Sequence, residues 1–269
     1  MTDLLDSNTL QSALAGTMFA NNIHLFPTID STNTYAMREG ANGAPHGSVY
    51  IAEEQTAGRG RSDHTWHSEP HAGLYVSILL RPHMTPADAL WLSLATGLAV
   101  QRAVENVTAL VADIRWPNDL LFGSRKFGGI LTEMNAEATR VRYAVVGIGI
   151  NVNHSQFPPE LRQVATSLRM ESDRITSWQD LLVALLQALH EEITGLLEAD
   201  TFAKATRSIL ERIEQKSSWI RGKRVSVDEA GGYTGVTAGL DARGFLRVET
   251  DTGIRTVLSG GVRQITAKD

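Results

Sequence analysis

The sequence predicts an α/β fold, a β-sheet flanked by helices, with a small β-barrel at its C-terminal end. Three observations carry this expectation. Apolar runs of strand length alternate with stretches of helical period up to about residue 213. One of those stretches, Thr176 to Glu198, places Leu181, Leu182, Leu185, Leu186, Leu189, Ile193, Leu196 and Leu197 on one helix face. After Ser218 the helical period stops, and closely spaced β segments separated by turn residues follow. The expected division is therefore 1–218 and 219–269.

The elements follow in order. Ser7 to Ala15 is read as a short helix and Ile23 to Phe26 as a strand. Ser31 is an N-cap for a short helix that Gly40 is expected to end. Ser48 to Glu54 and Leu74 to Leu80 are strands. Between them Gln55 to Gly73 holds four glycines or prolines and no apolar period, so it is a long loop, a feature usually tied to function. Pro86 opens a helix to about Asn106, with Leu90, Leu94, Leu98 and Val104 near helical spacing. Val111 to Trp116, Gly128 to Met134 and Arg142 to Val152 are further strands. Another helix runs from about Thr201 to Ile213. In the last part Lys223 to Val227, Tyr233 to Leu240, Phe245 to Thr250 and Ile254 to Leu258 are β segments, parted by Gly231-Gly232, Asp241 to Gly244 and Asp251 to Gly253.

Composition removes several classes. Hydrophobic residues make up 42% and charged residues 20% of 269, which excludes disorder as the main state. There is no Cys, hence no disulfide, thiolate metal site or Cys nucleophile, and a reducing, cytoplasmic location is expected. The opening MTDLLDSNTLQSALAGT lacks the basic and apolar regions of a signal peptide. No run reaches the ~18 apolar residues of a membrane helix, so no membrane partner is expected. A net charge of −5 and a pI near 5.9 argue against coating DNA. From Lys216 onward nine Lys/Arg stand against six Asp/Glu, so the acidity lies in the part before.

Some apparent signals are read as structural. His64, His67 and His71 lie in a loop broken by Gly58, Gly60 and Pro70, and are taken as solvated, so no metal site is expected. His190-Glu191-Glu192 lacks the second His of a zincin, and Gly147-Ile148-Gly149 lacks the third Gly of a dinucleotide fingerprint. There is no Walker A sequence.

Three segments carry chemistry together. Gly58-Arg59-Gly60-Arg61, followed by Trp66, combines close backbone approach with forked, permanent cations for carboxylate or phosphate. Lys126-Phe127-Gly128-Gly129-Ile130-Leu131 sets an ammonium beside a glycine pair. Trp116-Pro117-Asn118-Asp119 lies just upstream. With Ser31-Thr32-Asn33, Glu54 to Arg61, Gly147 to Val152 and Ala165-Thr166-Ser167-Leu168, these segments make the chain similar to the biotin protein ligases, in order and in rough spacing.

The resemblance implies a mixed sheet flanked by helices and an SH3-like C-terminal barrel. It implies a two-step reaction, in which biotin and ATP, brought with Mg²⁺, give biotinyl-5′-AMP and pyrophosphate. A lysine of a biotin carboxyl carrier domain, from an acetyl-CoA/acyl-CoA or pyruvate carboxylase, then takes the biotin and releases AMP. Lys126, Arg61 and Arg59 are the implied catalytic cations. Ser31, Thr32, Asn33, Gln55, Gly58, Arg59, Gly60, Arg61, Lys126, Leu131 and Gly147 are implied at biotin. Arg61, Trp66, Asn118, Asp119, Lys126 and Asn151 are implied at the adenylate, with Asp119 either polarising a ligand or ordering the loop. The long loop is the implied lid. Asp63-His64 stands where the family often has another Gly-Arg pair. An N-terminal DNA-binding domain, as in the repressor members, is not expected, so DNA is no expected partner, and a monomer or weak homodimer is expected. The alternative is a lipoate ligase or octanoyltransferase, which shares the catalytic fold but lacks the KxGGIL segment.

Overall fold

A computed structural model describes residues 7–61, 64–229, 231–258 and 261–265. Asp63 lies outside them. The elements are α1 Ser7–Ala13, β1 Ile23–Ile29, α2 Thr32–Ala41, β2 Ser48–Gln55, β3 Gly73–Leu80, α3 Leu90–Thr108, β4 Asp113–Arg115, β5 Asp119–Phe122, β6 Arg125–Ala136, β7 Val141–Asn151, α4 Leu168–Ser172, α5 Trp178–Leu197 and α6 Ala199–Lys216. Then come β8 Arg221–Val227, β9 Tyr233–Leu240, β10 Leu246–Thr250, β11 Gly253–Val257 and β12 Val262–Gln264. Three short elements, β5, α4 and β12, go beyond the sequence reading.

The first seven strands form one mixed sheet in the order β1-β2-β3-β7-β6-β5-β4. Only β1 and β2 pair in parallel. Alternation sorts the two faces. Leu74, Val76, Ile78 and Leu80 of β3, with Ala144, Val146, Ile148 and Ile150 of β7, enter the large core with the apolar sides of α3 and α5. Leu79, Tyr143 and Val145 face the other way and pack on Ala36 of α2. On that second face β7 then carries Gly147 and Gly149 in place of side chains, which leaves room beside α2 for a cleft.

Two helix ends differ from expectation. Ser31 caps α2, accepting from the Thr34 amide at 3.4 Å. Gly40 does not end the helix; it lies inside, where a Cβ would come within 2.8 Å of Tyr143 and Leu79. Its role is close packing of helix on sheet. Pro86 opens a 3₁₀ turn, Pro86–Asp88, rather than the long helix. There Asp88 accepts from the Thr85 hydroxyl at 2.6 Å, and α3 starts after it.

A bulge shapes the site. Leu120 of β5 pairs with Gly128 of β6, but Leu121 pairs with Lys126. Phe127 is the extra residue; it is fully buried and stacks on Phe122 at 4.4 Å. The extra residue reverses the alternation. Lys126 therefore shares the face of Gly129, and its Nζ lies 3.1 Å from where a Gly129 Cβ would be.

The C-terminal strands form a five-stranded antiparallel sheet in the order β11-β10-β9-β8-β12. Ile220, Val225, Val227, Leu240, Leu246, Val248 and Val257 belong to the same apolar cluster as the main core. The Trp116 indole N–H donates to the Gly244 carbonyl at 2.9 Å. No helix among the described residues is long and apolar enough to cross a membrane.

Candidate active site

Two clefts open on the α2 face of the large sheet. The smaller, of about 450 Å³, is lined by Ser31, Thr32, Asn33, Gln55, Arg59, Gly60, Arg61, Trp66, Asn118, Lys126, Gly129 to Leu131 and Gly147 to Gly149. The larger, of about 1310 Å³, is lined by Arg115 to Asp119, Asn151, Phe157 and part of the C-terminal sheet, Gly261 to Arg263. Gly60, Arg61, Trp66, Asn118 and Lys126 line both. Lys126 and Arg61, two of the cations of the sequence motifs, thus stand at the junction. Of the expected site residues only Gly58 lines neither cleft; its carbonyl accepts from the Trp66 amide at 2.9 Å and closes the loop on itself.

The floor of the junction is bare backbone. Gly129 of β6 and Gly149 of β7 sit opposite each other. The Trp66 indole covers them: a Cβ on Gly149 would lie 2.6 Å from the ring, and one on Gly129 would lie 2.9 Å from it. Lys126 Nζ lies 5.2 Å from the Trp66 ring centre. The indole N–H is buried and meets no acceptor.

A polar cluster closes the inner end of the smaller cleft. The Thr32 amide and hydroxyl both donate to Gln55 Oε1, at 2.9 and 3.1 Å. Gln55 Nε2 donates to Ser68 at 3.1 Å. Ser77 of β3 is wholly buried; its hydroxyl donates to Asn33 Oδ1 at 2.6 Å and lies 2.8 Å from the Thr32 hydroxyl. Asn33 Oδ1 also lies 2.1 Å from where a Gly147 Cβ would be, so only glycine fits opposite it. Sequence reasoning passed over Ser77, although a lone hydroxyl in the apolar run LYVSILL was a usable signal.

The cations are already partnered. Lys126 Nζ lies 2.6 Å from Asp119 Oδ1, and Arg115 Nη2 donates to Asp119 Oδ2 at 2.5 Å. Burial pushes the Asp119 carboxyl up, but the charges of Lys126 and Arg115 outweigh it and hold the group below the usual carboxylate range. Arg61 donates to Asn118 Oδ1 at 3.0 Å, and Asn118 Nδ2 donates to the Ile130 carbonyl at 2.9 Å. Burial lowers the Arg61 pKa against the opposing pull of Asp119, yet a guanidinium stays charged in proteins. Arg59 points away from the junction and forms a two-pronged pair with Glu133, both contacts at 3.0 Å. Glu133 also accepts from Asn33 Nδ2 at 3.0 Å. Neither Glu133 nor Arg115 was singled out from sequence: Glu133 is 74 positions from Arg59, whereas Arg115 stands only four from Asp119, just before the motif that begins at Trp116.

Backbone bonds fix Lys126 in turn. Its amide donates to Val164 at 2.8 Å and its carbonyl accepts from Thr166 at 2.9 Å. Asn151 Nδ2 donates to the Thr166 carbonyl at 3.0 Å. The Ala165-Thr166 segment is thus a brace beside β6. In the Gly/Arg loop an antiparallel bridge joins Arg59 and Thr65. The three loop histidines do not converge: His64 Nδ1 contacts the Arg61 carbonyl at 2.9 Å, His71 pairs with Glu53 at 3.3 Å, and His67 faces Glu69 and His154.

Residues 25–151, which carry the cations and the glycine floor of this site, match the Biotin/lipoate A/B protein ligase family. Residues 221–262 match the Biotin protein ligase C terminal domain. The chain is 33% identical to the bifunctional ligase/repressor BirA of Bacillus spizizenii over 87% of its own length and 71% of that protein's. It is 32% identical to the biotin–[acetyl-CoA-carboxylase] ligase of Mycobacterium tuberculosis, covering 94% and 92% respectively. Among solved structures it is similar to the biotin protein ligase from Aquifex aeolicus in complex with biotin and ATP, at 30% identity and a TM-score of 0.78, over 91% of this chain and 100% of that one. The chain belongs to the biotin protein ligase family.

Proposed function

We propose that this chain activates biotin with ATP and transfers it to a lysine of a biotin carboxyl carrier domain. The observation that carries the reading is the pair Lys126 and Arg61 where the two clefts meet, with Arg115 beside them on Asp119. In the first step a biotin carboxylate oxygen attacks the α-phosphorus of ATP, and the bond to pyrophosphate breaks. Two anions approach, so cations at the junction offset their repulsion and the charge that grows on the phosphoryl oxygens. In the second step the carrier's ε-amine attacks the acyl carbon of biotinyl-5′-AMP, AMP leaves, and the amine gives up a proton. No covalent enzyme intermediate is required.

The smaller cleft suits biotin. Its polar end, Ser31, Thr32, Asn33 and Gln55, together with Ser77, supplies donors and acceptors for a ureido group, while Gly60, Leu131 and Gly147 leave room for an apolar chain. The larger cleft suits the adenylate, with Asn118, Asp119, Asn151 and Trp66 around it. Lys126 and Arg61 serve both. Arg59, bound to Glu133, acts in this reading by holding the loop shut. Mg²⁺ would come with the polyphosphate and neutralise it; Asp119, the one carboxylate among the described lining residues, suits an ion held largely by phosphate and water. Residues 1–218 are the catalytic unit and 219–269 an appended one that lends Gly261 to Arg263 to the cleft rim.

The test is a transfer assay with the purified chain, ATP, radiolabelled biotin and a carrier domain from an acetyl-CoA, acyl-CoA or pyruvate carboxylase. Label on the carrier lysine, with pyrophosphate released in step, is the expected result. Transfer of lipoate or octanoate instead of biotin would replace this reading with the lipoate ligase one.

A further inference from the structure

We propose that His67, Glu69 and His154 form a site for a divalent transition metal of the Zn²⁺ type, which ties the end of the Gly/Arg loop to the segment after β7. One ligand atom from each residue lies within 4.8 Å of the other two. His67 Nε2 and Glu69 Oε2 are 3.9 Å apart, and the two imidazole rings are 5.8 Å apart between centres. His154 is the telling member. It is 1% exposed, and neither ring nitrogen has a hydrogen-bond partner. A buried imidazole left so bears the full cost of its lost hydration, and a metal ion would satisfy its acceptor nitrogen.

The ring is also prepared for ligation. Phe157 stacks on it at 4.9 Å and 15°, fixing its plane. His67 and Glu69 sit on the loop with side chains 36% and 51% exposed, free to adjust. A tetrahedral ion with bonds of about 2.0–2.1 Å needs ligand atoms ~3.3 Å apart. The loop side chains have to close in by no more than about 1.5 Å from the observed limit, a movement that exposed rotamers allow. Two imidazoles and one carboxylate suit Zn²⁺, Co²⁺ or Ni²⁺, not the all-oxygen Mg²⁺ or Ca²⁺. His67 and Phe157 also line the larger cleft. The three ligands are separate from those assigned above to biotin and adenylate, so the site stands or falls apart from that reading.

The experiment uses the untagged full chain, stripped with a chelator. Zn²⁺ is titrated by calorimetry and Co²⁺ by visible absorption. One ion per chain is expected, with the strong absorption of four-coordinate Co²⁺. His67→Gln and Glu69→Gln should each weaken Zn²⁺ at least about tenfold, since loss of an outer-sphere partner alone costs ~10–100-fold. Both changes fall on partly exposed loop side chains, so folding, checked by circular dichroism, is preserved; His154→Phe is the third arm. Absence of a stoichiometric site would overturn the proposal. So would variants that bind Zn²⁺ as tightly as the parent, which would put the ion on other histidines.

Discussion

Replacing Asp119 by Asn tests the electrostatic centre of the site. The carboxylate lies between Lys126 at 2.6 Å and Arg115 at 2.5 Å, and its side chain is only 16% exposed. The change leaves two cations facing each other with a neutral amide between them. Breaking a fully buried pair costs roughly 3–5 kcal/mol. Lys126 and Arg115 keep 32% and 25% of their side-chain exposure, so water relieves part of this. A loss of about 1–3 kcal/mol is the resulting expectation. The pH dependence follows from the sign of the shift. The folded pKa of Asp119 lies below the ordinary 3.8, so its contribution is complete above that value and disappears as pH falls through the lower folded one. Urea unfolding of parent and variant at pH 7 should show the full gap, and a series descending below pH 3.8 should show it shrinking. Equal stability at pH 7, or a gap independent of pH, would refute the reasoning.

Three further outcomes follow from the site. Lys126→Ala should lower biotin-dependent pyrophosphate release ~10²–10³-fold with an unchanged circular dichroism spectrum; near-normal release would remove Lys126 from the chemistry. Arg61→Ala should release biotinyl-AMP about tenfold to a hundredfold faster, as loss of a charge-assisted contact worth roughly 1.5–3 kcal/mol implies, and should label an unrelated Lys-rich protein that the parent leaves alone. Glu133→Gln removes the anchor of Arg59, so limited proteolysis should cut between residues 56 and 66 faster than in the parent, and biotin with ATP should slow both; equal cutting of parent and variant would show that the pair does not hold the loop.

The long elements were legible because burial repeats along them. In α5 the leucine face read from the sequence is the face that packs, apart from Leu197 at its rim. The short pieces were not. β5 has four residues and β12 three, too few for a period to show, and β5 starts on Asp119, the last residue of the motif that begins at Trp116. At the site, glycines and basic residues announced themselves by type and spacing. Their partners did not, because Glu133 meets Arg59 across 74 positions and Ser77 meets Asn33 across 44. Pairings of that kind come from the strand order, which no local pattern states. His154 is the same case: nothing around it in sequence tells that its ring is buried beside His67.

The bulge at Phe127 couples the interior to the reaction centre through chain length. Phe127 works as a shim: its one extra residue turns the ammonium of Lys126 outward while its own ring wedges against Phe122. Regular pairing of the same residues, without the bulge, would put Lys126 on the face of Gly128 and swing the ammonium into the apolar layer beneath α3. A smaller side chain at 127 would keep the count but loosen the wedge, so the lysine would wander over its glycine neighbour. The segment therefore depends on two separate things, the irregular pairing and the ring that fills it, and a screen of core replacements at 127 and 122 should lose activity well before it loses the folded state.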